Sequence, residues 1–65
     1  MEEQVLYNVL KSIQRDKTPG NSAPTSKYIT SLIETRIITE DWDKTYLTSL
    51  GNSILDKLRS KFEKW

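Results

Sequence analysis

Tyr46-Leu47-Thr48-Ser49-Leu50-Gly51, running straight into Ile54, Leu55 and Leu58, joins a short strand to an amphipathic helix. Tyr, Leu and Thr suit a pleated, half-buried strand. Thr48 can then cap the helix, its side-chain oxygen accepting one of the backbone N–H groups that a first turn leaves unpaired. Toward the N-terminus, Tyr28, Ile29, Leu32 and Ile33 recur at helical spacing and lead into Ile37-Ile38-Thr39, whose β-branched residues favour extended backbone. Thr45, Tyr46 and Leu47 would return antiparallel to Ile37 through Thr39. The turn between them, Glu40 to Lys44, lacks the Asn-Gly or Asp-Gly dipeptide that marks a tight hairpin. The order is helix, strand, turn, strand, helix.

A further helix precedes these elements. Val5, Leu6, Val9, Leu10 and Ile13 form one apolar face over about residues 2 to 15. Glu2 and Glu3 oppose the positive end of its macrodipole, and Lys11 and Arg15 favour the negative end. Thr18-Pro19-Gly20 stops it. Residues 16 to 24 contain two prolines and only Ala23 as an apolar residue, so they read as a loop.

The second helix starts near Thr25 or Ser26, either of which can cap it, and buries Ile29, Leu32 and Ile33 with Tyr28 at the margin. Ser26, Lys27, Thr30, Ser31, Glu34 and Thr35 point the other way, and Arg36 closes the helix. The last helix runs from about Ser49 to Glu63, with Leu50, Ile54, Leu58 and Phe62 at i, i+4 spacing and Leu55 and Trp65 widening the stripe. The fold class expected is α+β, mostly helical, with three helices and a short antiparallel β-hairpin in a single domain.

Sixty-five residues make a small domain, and a chain of about 60 residues buries only about 60% of the surface exposed when unfolded. The chain has no cysteine and no histidine. Disulfides and thiolate metal sites are thereby excluded, and with them most acid, base and nucleophile partnerships. No Gly-rich phosphate loop is present, so an enzyme is not expected, and neither a cofactor nor a small-molecule substrate is implied. No apolar run is long enough for a membrane span, and Met1-Glu2-Glu3-Gln4 does not resemble a signal peptide. A cytoplasmic protein is the expectation.

The net charge of +1 hides a segregation. Acids gather at Glu2 and Glu3 and again at Glu40, Asp41 and Asp43, while Lys11, Arg15, Lys17, Lys27 and Arg36 precede the second cluster and Lys57, Arg59, Lys61 and Lys64 follow it. Proteins that rely on phosphate contacts usually concentrate more positive charge. Carboxylates at alternate positions 41 and 43 suggest the start of a calcium loop, but its Gly and closing Glu are missing.

Ser26-Lys27-Tyr28-Ile29-Thr30-Ser31-Leu32-Ile33-Glu34-Thr35-Arg36-Ile37-Ile38-Thr39 resembles the recognition helix and first wing strand of winged helix-turn-helix regulators. Tyr46-Leu47-Thr48-Ser49-Leu50-Gly51 is similar to their second wing strand, with its Leu-Thr-x-x-Gly entry into a closing helix. Small phage and mobile-element proteins, including the YjcQ-like group, are similar in shortening the region before the recognition helix. The resemblance implies a minimal winged-helix variant, and a DNA-binding regulatory protein that docks the helix starting at Ser26 in the major groove. Lys27 would meet phosphate, Thr30, Ser31 and Thr35 would lie near bases, and Arg36, Lys44 and Tyr46 would support from the wing side. Two departures are visible. Residues 16 to 24 offer no complete helix, and the wing tip reads Glu40-Asp41-Trp42-Asp43, which phosphate would repel.

A second reading keeps the fold and changes the partner. Trp is enriched at interface hot spots, so Trp42 either packs back over Tyr46 or a helix, or projects as an anchor for a protein. Leu55, Phe62 and Trp65 widen the last apolar stripe and make it a candidate protein contact or homodimer face.

Overall fold

The computed structural model describes residues 3 to 63. The order is α1 (Glu3–Asp16), α2 (Ser26–Glu34), β1 (Ile38–Asp41), β2 (Lys44–Leu47) and α3 (Ser49–Phe62), an α+β chain that is mostly helical, as expected. Glu2, Lys64 and Trp65 lie outside the described residues. Residues 17 to 25 contain turns and no helix. This loop is tied down, because the Ser12 hydroxyl donates to the Thr18 carbonyl at 2.9 Å and the Thr45 N–H donates to the Lys17 carbonyl at 2.9 Å.

Both expected caps form. The Thr25 oxygen accepts from the Tyr28 N–H at 3.2 Å, and the Thr48 oxygen accepts from the Gly51 N–H at 3.1 Å. Thr48 also looks backward. Its N–H donates to the Ile37 carbonyl at 3.1 Å, and its hydroxyl lies 3.0 Å from the same oxygen and close to the Arg36 carbonyl. One residue therefore starts α3 and locks it to the segment that follows α2.

α2 ends in a Schellman motif: the Arg36 N–H donates to the Ile33 carbonyl at 3.0 Å and the Ile37 N–H to the Leu32 carbonyl at 2.9 Å. Arg36 holds the left-handed position (φ 64°) that glycine usually takes. An Arg36→Gly variant is expected to gain about 0.5–1 kcal/mol, the relief of the left-handed penalty less the added freedom of the unfolded chain. Urea midpoints would check this, and a loss of stability would refute the assignment.

Tyr7, Val9, Leu10, Ile13, Leu32, Ile38, Leu55 and Leu58 make the core, with Val5, Leu6, Ile29, Ile33, Ile54 and Phe62 packed around it. Tyr7, absent from the expected apolar face, is 4% exposed and stacks on Phe62 with centroids 5.4 Å apart. The phenol oxygens of Tyr7 and Tyr28 are buried without a hydrogen-bond partner among the described residues. Burial pushes the Tyr28 phenol above its usual range, since the charged form is the one that loses hydration.

α3 faces the core differently from the expectation. Its buried residues are Gly51, Leu55 and Leu58, whereas Leu50 is 49% exposed. Gly51 turns toward the core because it alone lets α3 approach the Ile37 backbone. Leu55 lies one turn further along the same face and is fully buried, which corrects its assignment as a surface contact. Phe62 is partly buried against Tyr7, so Leu55 and Phe62, two residues of the candidate contact face, belong to the core and its margin.

Candidate interaction site

β1 and β2 pair with Ile38 opposite Leu47 and Asp41 opposite Lys44, leaving only Trp42-Asp43 as the turn. The turn is shorter than the five residues expected. A two-residue hairpin connection requires a left-handed residue at its first central position, and here Trp42 supplies it with φ 59°. A bulky residue in that region is an outlier. Its side chain is 97% exposed, so of the two alternatives the structure adopts the projecting one. Glu40, Asp41 and Asp43 are also exposed around it.

Among the described residues the exposed Trp42 indole has little packing to offset its left-handed backbone. A Trp42→Gly variant is expected to raise stability by about 1 kcal/mol, because the left-handed penalty disappears and no packed contact is lost. Thermal melts should show a rise of about 4–8 °C. A fall would mean that the indole supports the hairpin.

At the base of the same ribbon, an open groove of about 770 Å³ lies between the end of α2, strand β1 and the start of α3. Ile33, Thr35, Arg36, Ile38, Thr39 and Leu50 contribute to its walls. Among the described residues the sheet has two strands, and none pairs with the other edge of β1. The first turn of α3 contains no acidic residue, which leaves the positive end of its dipole uncompensated. Arg36 adds a formal charge beside it, and Glu34 is the one acid in the lining. Trp42 and Leu50 are the exposed large apolar residues among those described, one on a convex tip and the other on a concave wall.

The α2 residues assigned to DNA are all exposed: Lys27, Thr30, Ser31 and Thr35, followed by Arg36. Two of the hydroxyls are already engaged. Thr30 donates to the Ser26 carbonyl at 3.1 Å, and Thr35 lies 2.9 Å from the Ser31 carbonyl and 3.1 Å from that of Leu32. They retain acceptor lone pairs but have spent their protons within the helix. Thr35 and Arg36 come together at the groove. Lys27 is eight residues from Thr35, about 12 Å along the helix axis, and Lys44 sits at the hairpin tip opposite Asp41. The positive charges of the proposed DNA set are thus dispersed. Tyr46 is half-buried, with the Lys17 ammonium 5.7 Å from its ring centre.

Among the described residues, no group of three acids is close enough to hold a metal ion, and no helix is long and apolar enough to cross a membrane. Together, fold and surface define a small α+β domain with a projecting acidic hairpin beside a groove. No family model, characterised protein or solved structure matches the chain.

Sequence reasoning did not single out the outward side of Leu50. Its i, i+4 spacing from Ile54 suggested core, and only the neighbouring glycine hinted that the helix turns its small residue inward.

Proposed function

We propose that this chain is a non-enzymatic protein-interaction module that offers Trp42, ringed by acids, to a partner surface with an apolar recess and positive charge at its edge. The observation that carries the reading is the 97% exposure of Trp42 on left-handed backbone. Trp42 is almost wholly exposed, and an outlier of that kind points toward a function outside the fold. Indole is also the side chain best suited to a hot spot, since it buries about 150–250 Å² with few rotatable bonds. Glu40, Asp41 and Asp43 would select basic surfaces and steer the approach.

Quantitative affinity capture from cells, comparing the natural chain with Trp42→Ala, tests this reading. Partners that use the tip should weaken by at least about 2 kcal/mol, roughly thirtyfold. An unchanged partner set at matched folding would defeat the proposal.

One observation favours a second reading, a small DNA-binding regulator of phage or mobile-element type. The polar face of α2, from Lys27 through Ser31 to Thr35, is exposed along the helix. A Ser or Thr oxygen can accept from a base-edge amino group, and the Lys27 ammonium can donate to phosphate. Titration with genomic and mixed-sequence DNA at low salt tests it. Binding that falls steeply with salt and is lost in Lys27→Glu supports this reading, and no binding removes it.

A further inference from the structure

We infer that the outer edge of β1, with the groove at its base, is the docking site for an extended basic segment of a partner protein, which adds to the ribbon as a third strand. The inference goes beyond the Trp42 anchor and does not depend on it.

Backbone geometry comes first. Bonds across an antiparallel pair alternate, so every second residue turns its N–H and carbonyl away from the partner strand. Two bonds fix the phase here: the Thr48 N–H donates to the Ile37 carbonyl at 3.1 Å, whereas the Thr45 N–H turns away from β1 and donates to the Lys17 carbonyl at 2.9 Å. Thr45 stands opposite Glu40 and Leu47 opposite Ile38, so Glu40 and Ile38 aim their backbone groups at the open edge. The Lys17 loop bonds to the outer edge of β2. Among the described residues, no strand or loop backbone bonds to the four groups on the outer edge of β1. Ile38 is only 1% exposed, which leaves water little access to its N–H and carbonyl. Buried backbone groups without partners cost free energy, and an added strand supplies the partners.

The groove gives the strand a place for an apolar side chain. Ile38 lines it, and Ile33 and Leu50 stand on its walls.

Charge selects the occupant. Within the groove Arg36 and Glu34 balance, so the ribbon sets the preference. Glu40, Asp41 and Asp43 are exposed there, and Lys44 is the one base between Ile38 and Leu47. β2 already displays the composition that β1 accepts, with Lys44 opposite Asp41 and Leu47 opposite Ile38. Opposite charges across a strand pair are favourable and like charges are not. A strand with bases near Glu40 and Asp41 and an apolar residue near Ile38 fits this edge. A second copy of β1 does not, because antiparallel bonding through Glu40 would set it against Glu40 or Ile38.

Residues 1–2 and 64–65 cannot supply the strand. Lys61 pairs with Glu3 about 16 Å along α3 from Leu50, and two residues extend a chain by at most about 7 Å.

NMR titration of the isotope-labelled full chain tests the inference with a capped peptide, Lys-Lys-Thr-Val-Thr, whose second and fourth residues face Glu40 and Ile38 in antiparallel register. It should bind saturably with a dissociation constant below about 1 mM, and the Ile38 and Glu40 amide signals should shift most. The peptide Glu-Glu-Thr-Val-Thr, and the lysine peptide N-methylated at its second and fourth residues, should each bind at least about tenfold more weakly. Glu40→Pro removes an outward N–H at a position where an edge strand tolerates proline, and should weaken the lysine peptide about three- to tenfold. Glu40→Gln keeps that N–H and should lose about two- to fivefold through charge alone.

No saturable binding of the lysine peptide by about 1 mM, equal binding of the glutamate peptide, or unimpaired binding of the N-methylated one would overturn the inference. Trp42→Ala should bind the lysine peptide as the natural chain does, and a loss there would place the peptide at the tip and overturn the edge. If peptide binding stays intact while partner capture ignores Trp42, only the anchor reading falls. If capture depends on Trp42 while the peptide fails to bind, only the edge falls.

Discussion

Gly51→Ala is expected to destabilise the domain severely. A methyl group at this position would lie 2.1 Å from the Ile37 carbonyl oxygen, 3.2 Å from its carbon and 3.4 Å from the Leu47 Cβ. The first of these distances is far inside contact, and the atom it meets is backbone. That oxygen cannot swing aside, because it accepts from the Thr48 N–H at 3.1 Å and lies 3.0 Å from the Thr48 hydroxyl. Relief requires α3 to move away from the ribbon, which opens the contacts of Leu55 and Leu58 as well. Overpacking of this kind costs about 3 kcal/mol or more. A domain of this size is stable by only about 3–10 kcal/mol, so from about a third to all of the margin disappears. Far-UV circular dichroism during urea and thermal unfolding would read the effect. A melting temperature within a few degrees of the natural chain would refute the close crossing of α3 over Ile37.

Leu55→Ala is expected to cost about 2–5 kcal/mol, the range for a buried leucine that loses its transfer energy and leaves a cavity. Leu55 is 0% exposed and sits in the core with Leu10, Leu32 and Ile38. Were it part of an exposed contact face, the same change would stay within about 0.5 kcal/mol. Urea titration decides between these, provided the slope is unchanged so that the midpoint alone carries the loss. A midpoint close to that of the natural chain would return Leu55 to the surface and α3 to the candidate dimer faces.

These variants separate folding from binding. Gly51 and Leu55 hold α3 in place, whereas Trp42 and Leu50 are exposed. Changes at the second pair should alter association while the fold remains. Loss of binding in Gly51→Ala or Leu55→Ala would report only that the ribbon and groove have lost their support.

Much of the architecture was legible because its signals are local. The run from Val5 to Ile13 has the helical period, Pro19 and Gly20 stop α1, and Thr25 and Thr48 cap the helices they precede. Ile37 was expected in the first strand but instead closes α2 through its N–H and receives Thr48 at its carbonyl. The turn was expected over five residues and takes two, since Glu40, Asp41 and Lys44 pair across the ribbon. Neither shift is visible in composition. Each depends on which backbone partners the packed chain brings within hydrogen-bonding distance.

The candidate site was partly legible. Trp42 stood out as an indole between acids, but whether it packed inward or projected depended on the turn that the strand register selects. On spacing Leu50 reads as core, and Leu55 at the edge of the stripe reads as a contact. Glycine hides the true face of α3: with no side chain, Gly51 adds nothing to an apolar pattern although it marks the tightest contact in the fold. Tyr7 was missed for the related reason that a phenol reads as half polar, while its ring is needed against Phe62.

By itself, the chain of residues determined the helices and ribbon, their order, the caps at Thr25 and Thr48, and the lack of thiol and imidazole chemistry. The helices and their caps arise from interactions within about four positions along the chain. Tertiary structure decided which side of α3 faces inward, where the Ile37 backbone is gripped, and that an indole stands exposed above a groove. Such choices belong to packing between distant segments, where a missing methyl at Gly51 outweighs the apolar surface of Leu50 because two backbones cannot occupy the same space.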